Sequence, residues 1–291
     1  MRDFVIATDS DTEIPLYFAD KYDMPVFLMP YTVNGQERLF DLGRDTDIIG
    51  FYKELASGAD AITSTRPPAD IVAFFEEIIK KGKDILYLSF SSALSGHYEL
   101  VLMARNEVLE KYTDARIEVV DTLRISMGAG VLVMAAQRLL DQGKSMDEII
   151  EWVEDNRHRA HAWFSVDDLN YLKKGGRLSG AAAAIGTMLG VKPILKINHE
   201  GKIVPADKVK GSKMVLKFFL GTVMENVQNP KEQTAYVLHA NNIEAAGSLK
   251  TLIEQNVGFK EICIQDVGPV IGCHTGPGVL GVIFMGKPIT S

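Results

Sequence analysis

Residues 86–98 read Leu86-Tyr87-Leu88-Ser89-Phe90-Ser91-Ser92-Ala93-Leu94-Ser95-Gly96-His97-Tyr98. The first half is an apolar run typical of a buried strand, and the second half is rich in hydroxyl side chains and small residues. A strand that enters a helix through such a turn directs backbone N–H groups into the crevice beyond its carboxyl end. No Asp, Glu, Lys or Arg lies between Asp84 and Glu99, so hydroxyls and peptide dipoles would hold an anion bound here. Taken alone, the segment is explained more simply as an ordinary strand–helix connection with a serine N-cap.

The chain on either side of this segment alternates short apolar strands with amphipathic helices. Strands are predicted at residues 4–7, 24–33 and 117–120, and helices at about residues 70–82 and 127–140. This alternation predicts a parallel sheet covered by helices on both faces, which is a three-layer α/β domain over residues 1–160. Several of the predicted strands end in Asp, Ser or Thr, and ligands bind at such ends in open α/β sheets.

The pattern changes after residue 160. Residues 193–197 and 202–204 flank a turn and predict a β-hairpin. Residues 268–278 are rich in glycine and proline and are predicted as a loop, and residues 180–189 are small and apolar. These features predict a smaller C-terminal domain of mixed α+β structure over residues 161–291.

Composition excludes several classes of protein. The 291 residues carry a net charge of −7, which gives no electrostatic support for non-specific binding to nucleic acid or anionic membranes. The 2 cysteines, Cys263 and Cys273, cannot form a disulfide framework, so we expect a reducing compartment. The N-terminus reaches an acidic residue too soon for a signal peptide, and no apolar run approaches the roughly 18–20 residues of a membrane span. We therefore expect a cytoplasmic protein without stable membrane insertion.

Motifs for nucleotides and metals are missing from the sequence. Gly143-Lys144-Ser145 resembles the end of a Walker loop, but Arg138 stands where its first glycine is needed. No glycine-rich dinucleotide fingerprint follows the first strand, and the 6 histidines lack metal-ligand spacing. We therefore expect no cofactor and no metal.

A serine hydrolase is an alternative function. Ser95, His274 and Asp121 are of the residue types that form a catalytic triad, which would act on a small acyl ester. The nucleophile elbow is absent, because Phe90 and Ala93 stand beside the serines where glycine would be needed. The triad is defined by geometry, so the sequence leaves this alternative open.

Several segments together resemble the DegV family of bacterial fatty-acid-binding proteins, over nearly the whole chain. They are Thr8-Asp9-Ser10, Ser64-Thr65-Arg66-Pro67-Pro68, Ser91-Ser92-Ala93-Leu94-Ser95-Gly96, Asp121-Thr122, Leu172-Lys173-Lys174-Gly175-Gly176-Arg177-Leu178-Ser179, Val191-Lys192-Pro193-Ile194 and Gly268-Pro269-Val270-Ile271-Gly272-Cys273-His274-Thr275-Gly276-Pro277-Gly278. Each segment is weak alone, and their order and number make the set specific.

The resemblance implies that a long-chain fatty acid lies in an apolar tunnel between the two domains. Its carboxylate would be held by Ser95 and by one hydroxyl among Thr63, Ser64 and Thr65, because the usual Thr-Ser order is reversed here. His274 would support that network. The further candidate ligand-binding residues, from the same motifs, are Ser92, Gly96 and Thr275. The small residues of segments 127–136 and 180–189 would leave room for the tunnel.

The resemblance also implies a partner. The protein would have no catalytic residues of its own and would present its ligand to a separate ATP-binding fatty acid kinase. Arg177, which follows the double glycine, would help to dock that kinase, so its replacement is expected to leave fatty-acid affinity intact. Lys210 stands where a second docking arginine often lies. An adaptor that binds a small polar ligand is a further alternative.

Overall fold

The computed structural model describes residues 3–178 and 190–290. The strands are β1 Phe4–Asp9, β2 Val26–Phe27, β3 Pro30–Val33, β4 Gln36–Leu39, β5 Ala61–Thr63, β6 Asp84–Ser89, β7 Ile117–Asp121, β8 Ala160–Ser165, β9 Val191–Ile197, β10 Ile203–Lys210, β11 Thr234–His239, β12 Glu261–Asp266 and β13 Leu280–Met285. The helices are α1 Leu16–Lys21, α2 Ile48–Ala56, α3 Pro68–Lys80, α4 His97–Lys111, α5 Met127–Asp141, α6 Met146–Asn156, α7 Asn170–Lys174, α8 Ser212–Asn226, α9 Ile243–Asn256 and α10 Pro269–Thr275. Short 3-10 helices occupy Ser10–Thr12, Arg157–Arg159 and Pro230–Glu232.

The first sheet is parallel, with strand order β2-β1-β6-β7. Every residue of β6 is buried, as expected for a strand that helices cover on both faces. The predicted α/β class with a parallel sheet is confirmed. Because the carboxyl ends of β1 and β6 lie side by side, the segment after Asp9 and the serine-rich turn after Ser89 reach the same edge.

A second, three-stranded antiparallel sheet has the order β4-β3-β5. The single strand predicted at residues 24–33 is wrong: β2 belongs to the parallel sheet and β3 to this one. Pro30 has no N–H for a ladder and begins β3, a position that proline tolerates. Strand β5 ends at Thr63, which places residues 64–68 at the start of α3.

The third sheet has the mixed order β10-β9-β8-β13-β11-β12. The predicted hairpin is confirmed as the antiparallel pair β9–β10. The loop predicted at residues 268–278 is wrong, because Pro269–Thr275 forms helix α10. Proline at its first turn and a glycine just after its end are typical helix boundaries, and Gly276 has a φ of +69° there.

One apolar core connects the parallel sheet to the mixed sheet. Helix α5 packs against both β1 and β8, and the cluster contains Ile6 as well as Phe164. A second cluster, which includes Phe219 and Val282, lies between the mixed sheet and helices α8 and α9. The division into domains at residues 160 and 161 stays a prediction, and the prediction for residues 180–189 lies outside the described residues.

Candidate functional site

A cavity of about 230 Å³ lies where the two main sheets approach each other. Its wall consists of Asp11, Met29, Thr63, Ser64, Thr65, Phe90, Leu94, Ser95, Gly96, Ile125, Leu172, Arg177, Ile203, Val270, Ile271, His274 and Thr275. Both halves of the chain therefore contribute, with the β6–α4 turn on one side and helix α10 on the other.

The cavity wall contains most of the predicted ligand-binding residues. The three hydroxyls at 63–65 line it, together with Ser95, Gly96, His274 and Thr275. Ser92 does not, because it is exposed in the turn, where its backbone N–H donates to Asp121 Oδ1 at 3.3 Å. Lys210 is also absent from the wall and lies exposed at the far end of β10.

Thr63 and His274 form a hydrogen-bonded pair within the cavity wall. The Thr63 hydroxyl oxygen lies 2.8 Å from His274 Nε2. Burial, together with the charge of Arg177, lowers the pKa of His274 to about 4, so the imidazole is neutral at physiological pH. His274 Nδ1 has no hydrogen-bond partner among the described residues. Thr63 is half-buried whereas Ser64 and Thr65 are exposed, which distinguishes three hydroxyls that the sequence left equivalent.

The double glycine makes room for this histidine. A Cβ atom on Gly175 would collide with His274 Nδ1, so only glycine fits at this position. Gly176 follows with a φ of +69°, a conformation that glycine adopts without strain. The motif therefore shapes the cavity, besides ending helix α7.

Ser95 precedes the first turn of α4 and lines the cavity. Its Oγ accepts a hydrogen bond from the His97 backbone N–H at 3.2 Å. This bond uses a lone pair and leaves the hydroxyl hydrogen available. Because Gly96 is the N-cap of α4 and has no side chain in the way, the amino end of the helix is exposed to the same space. Both features suit a negatively charged group.

Arg177 lies in the wall of the cavity, a place that sequence reasoning did not assign to it. It is half-buried, and its Nε donates to the Leu94 carbonyl oxygen at 3.0 Å. A second bond connects its guanidinium to the Gly175 carbonyl. Both partners are neutral, so neither cancels the positive charge that Arg177 brings to the cavity.

Asp11 is a wall residue that sequence reasoning missed. The residue is 5% exposed, and burial followed by the charges of Asp9 and Glu13 raises its pKa well above the ordinary value. It belongs to the polar segment after β1, so the rule that ligands bind at strand ends in open α/β sheets was the signal that could have found it.

A second, smaller cavity adjoins the first. It measures about 30 Å³ and shares Ile125, Ile271 and Thr275 with the larger one. The rest of its wall comes mainly from apolar residues of β8, β11 and β13, among them Phe164 and Leu238. The polar groups are therefore concentrated at one end, and the other end is directed toward the mixed sheet.

The site is thus suited to a small molecule with a polar head and an apolar tail. The chain belongs to the DegV family, because the model of that family, described as one of uncharacterised proteins, matches residues 3–287. The DegV domain-containing protein CPE0026 of Clostridium perfringens is 40% identical over 286 residues, which cover 98% of each chain.

Solved structures share this fold over their full length. A DegV family protein from Thermus thermophilus, described by its fatty acid binding, matches with a TM-score of 0.86 and 27% identity, covering 99% of this chain and 100% of the other. DegV from Bacillus subtilis, described as a fatty acid binding protein, matches with a TM-score of 0.83 and 28% identity at the same coverage.

Two features are absent from residues 3–178 and 190–290. No helix in these ranges is long and apolar enough to cross a membrane. No group of three or more His, Cys, Asp or Glu side chains there is arranged to hold a metal ion.

Proposed function

We propose that this protein binds a long-chain fatty acid in the cavity and presents its carboxylate to a separate ATP-dependent fatty acid kinase. The observation that carries the proposal is the cavity itself, whose lining contains Thr63, Ser95 and His274 and which adjoins a smaller apolar cavity. The fatty-acid-binding descriptions of the Thermus thermophilus and Bacillus subtilis relatives support it.

The carboxylate would lie at the polar end of the cavity. Ser95 can donate its hydroxyl hydrogen, and the Thr63–His274 pair can supply a second donor from either of its members. A hydrogen bond to a charged group contributes about 1.5–3 kcal/mol. Because these donors are neutral, the carboxylate keeps its negative charge and remains a nucleophile.

The acyl chain would fill the apolar part of the cavity and reach toward the smaller cavity beside it. Ile125 and Ile271 line both cavities. An acyl chain that passes from one cavity toward the other would therefore be removed from water along its length. Burial of each methylene contributes about 0.8 kcal/mol, so a long chain supplies on the order of 10 kcal/mol before the costs of binding.

Presentation to a kinase requires access to the carboxylate. Ser64, Thr65 and Gly96 line the cavity and are exposed, so the polar end is open to solvent. In the partner, a carboxylate oxygen would attack the γ-phosphorus of ATP, forming an acyl phosphate and releasing ADP. This protein would supply no catalytic group, and Arg177 and Lys210 are the residues we propose for docking.

The proposed location is the cytoplasm, where ATP and a kinase are available. Both cysteines are free thiols, with Cys273 buried and Cys263 half-buried, as is usual in a reducing compartment.

Lipid extraction tests the binding step. Protein purified from cells should show a bound fatty acid by native mass spectrometry, and denaturing extraction should release it for identification. Recovery of no lipid would contradict the proposal. Treatment with a fluorophosphonate probe tests the hydrolase alternative on the same sample, since a hydrolase would be labelled at Ser95 and a binding protein would not.

A further inference from the structure

Asp11 lies in the cavity wall without a role in the binding scheme described so far. Only 5% of the surface of this residue is exposed to solvent. Its Oδ1 atom has no hydrogen-bond partner among residues 3–178 and 190–290. Buried polar atoms are nearly always paired, so an unpaired carboxyl oxygen on a residue of the cavity wall indicates a hydrogen bond that a ligand can complete.

The charges around Asp11 come from several elements. Asp9 at the end of β1 and Glu13 after the 3-10 helix are acidic neighbours, and Arg177 after α7 is the positive neighbour that acts on it. Tyr87 of β6 and Cys273 of α10 also face it, and the pKa of each is raised, that of Cys273 to about 12. Both are neutral at physiological pH.

The surroundings of Asp11 favour its protonated form in the unliganded protein. Burial is the largest cause of its raised pKa, Asp9 and Glu13 add to it, and Arg177 opposes them. A protonated carboxyl group is a hydrogen-bond donor, whereas an ionised one is only an acceptor. The distinction matters here because the proposed ligand is itself a carboxylate.

We infer that Asp11, in its acid form, is a further positioning residue that donates its carboxyl hydrogen to an oxygen of the bound carboxylate. This inference rests on the proposed function. It places one proton between two carboxyl groups, an arrangement in which both cannot ionise at once without repulsion. Loss of the proton would turn a donor into a negative charge beside the ligand.

The position of Asp11 on the polar side of the cavity supports this role. Arg177 acts electrostatically on both Asp11 and His274, and His274 is paired with Thr63. All four residues line the same cavity, so Asp11 belongs to the end where the carboxylate would lie. An acid at this place would make the site prefer a carboxylate at low pH and disfavour it at high pH.

The test compares two ligands with the same tail. Dissociation constants of laurate and of 1-dodecanol are measured with the purified, delipidated protein from about pH 6 to about pH 9. Laurate is ionised throughout this range, and dodecanol is neutral. We expect the laurate dissociation constant to rise by up to about tenfold per pH unit once Asp11 ionises. The dodecanol constant should change less than about twofold, because an ionised Asp11 still accepts a hydrogen bond from the alcohol.

Two variants test whether Asp11 causes the pH dependence of laurate binding. Asp11→Asn keeps a donor in nearly the same place and cannot ionise, so it should bind laurate within about threefold of the wild-type affinity at pH 6 and lose the pH dependence. Glu13→Gln is the matched control, because Glu13 is also a buried acid but is absent from the cavity wall. Because the charge of Glu13 contributes to the raised pKa of Asp11, this variant should keep the decline in laurate affinity and move it to lower pH.

The outcomes separate the inference from the proposed function. Parallel pH profiles for laurate and dodecanol in the wild-type protein would overturn the role of Asp11, and this comparison needs no variant to fold. An unchanged laurate slope in Asp11→Asn would overturn it as well, while fatty-acid binding itself would stand. Absence of laurate binding at every pH, together with an extraction that recovers no lipid, would overturn the proposed function and the inference with it.

Discussion

At the residue scale, replacement of Ser95 gives the most direct test of how the carboxylate of the fatty acid is bound. Its Oγ already accepts from His97 N–H, and its hydroxyl hydrogen can still donate to a ligand in the cavity that Ser95 lines. Ser95→Ala should weaken fatty-acid binding by about tenfold or more, since a charge-assisted hydrogen bond is lost. Calorimetry with laurate measures the change. Ser92→Ala is the matched control, because Ser92 belongs to the same turn but is outside the cavity wall. Equal affinities of the two variants would remove Ser95 from the head site.

The position of Arg177 changes what we expect its replacement to do to fatty-acid affinity. The resemblance implied docking alone and intact ligand affinity after its replacement, whereas the structure places Arg177 in the cavity wall beside His274. Arg177→Met keeps the apolar stem and removes the charge, so we expect fatty-acid affinity to fall by about threefold to tenfold. Lys174→Met removes an exposed charge from the same segment and should leave affinity unchanged. An unaltered dissociation constant for Arg177→Met would restore the docking-only role.

At the element scale, Glu13 connects the segment after β1 to the starts of two helices. Its carboxylate accepts from Ser126 Oγ at the N-cap of α5 and from Gly268 N–H at 2.5 Å at the N-cap of α10. Burial nevertheless raises the pKa of Glu13 to about 7. The folded protein therefore holds a proton that the unfolded chain releases at a lower pH.

The sign of the resulting pH dependence follows from that difference. Between the ordinary glutamate pKa of 4.5 and about 7 the folded state binds more protons, so the contribution of Glu13 to stability is present below this window and is lost as pH rises through it. Glu13→Gln keeps an acceptor and a donor but cannot ionise. Urea unfolding measures the free energy of unfolding at each pH. Between about pH 5 and pH 8 we expect this free energy to decline by on the order of 3 kcal/mol less in the variant than in the wild type. A decline equal to that of the wild type would contradict this assignment.

The sequence predicted those elements whose pattern was local. β6 is an uninterrupted apolar run, and the hairpin β9–β10 has its turn residues between two apolar segments, so both were found. The division between β2 and β3 was missed because it depends on which sheet each strand joins, and that is decided by distant partners. Helix α10 was missed because its glycines masked the boundary signals at Pro269 and Gly276.

The candidate site was predictable to the extent that its residues lie in recognisable motifs. Ser95 and His274 belong to such motifs, and the cavity contains both. Asp11 could not be singled out, because an acidic residue after a strand is usually solvated and only the fold buries it. The same limit applies to Arg177, whose bond to Leu94 joins segments 83 residues apart.

At the scale of the whole molecule, Arg124 connects the parallel sheet to the hairpin of the mixed sheet. Its side chain is fully buried, and its guanidinium donates to the carbonyls of Arg157 at 2.6 Å and Asn198 at 2.9 Å. A parallel bond runs from Ser91 Oγ to the Gly201 carbonyl at 3.0 Å. These contacts fix the turn that precedes β10, and Ile203 at the start of β10 lines the ligand cavity.

Loss of that connection should therefore affect both stability and binding. Arg124→Met retains the apolar volume but leaves two partly buried carbonyls without their donor, which costs on the order of 2–4 kcal/mol. Urea unfolding measures that loss, and laurate affinity should fall with it, because Ile203 is no longer held in the cavity wall. Lys202→Met, which removes an exposed charge from the same hairpin, is the control and should change neither quantity. Arg124→Met could instead lose stability and still bind laurate as tightly as the wild type. That result would show that the hairpin stabilises the fold without shaping the cavity. The ligand site would then depend on the β6–α4 turn and helix α10 alone.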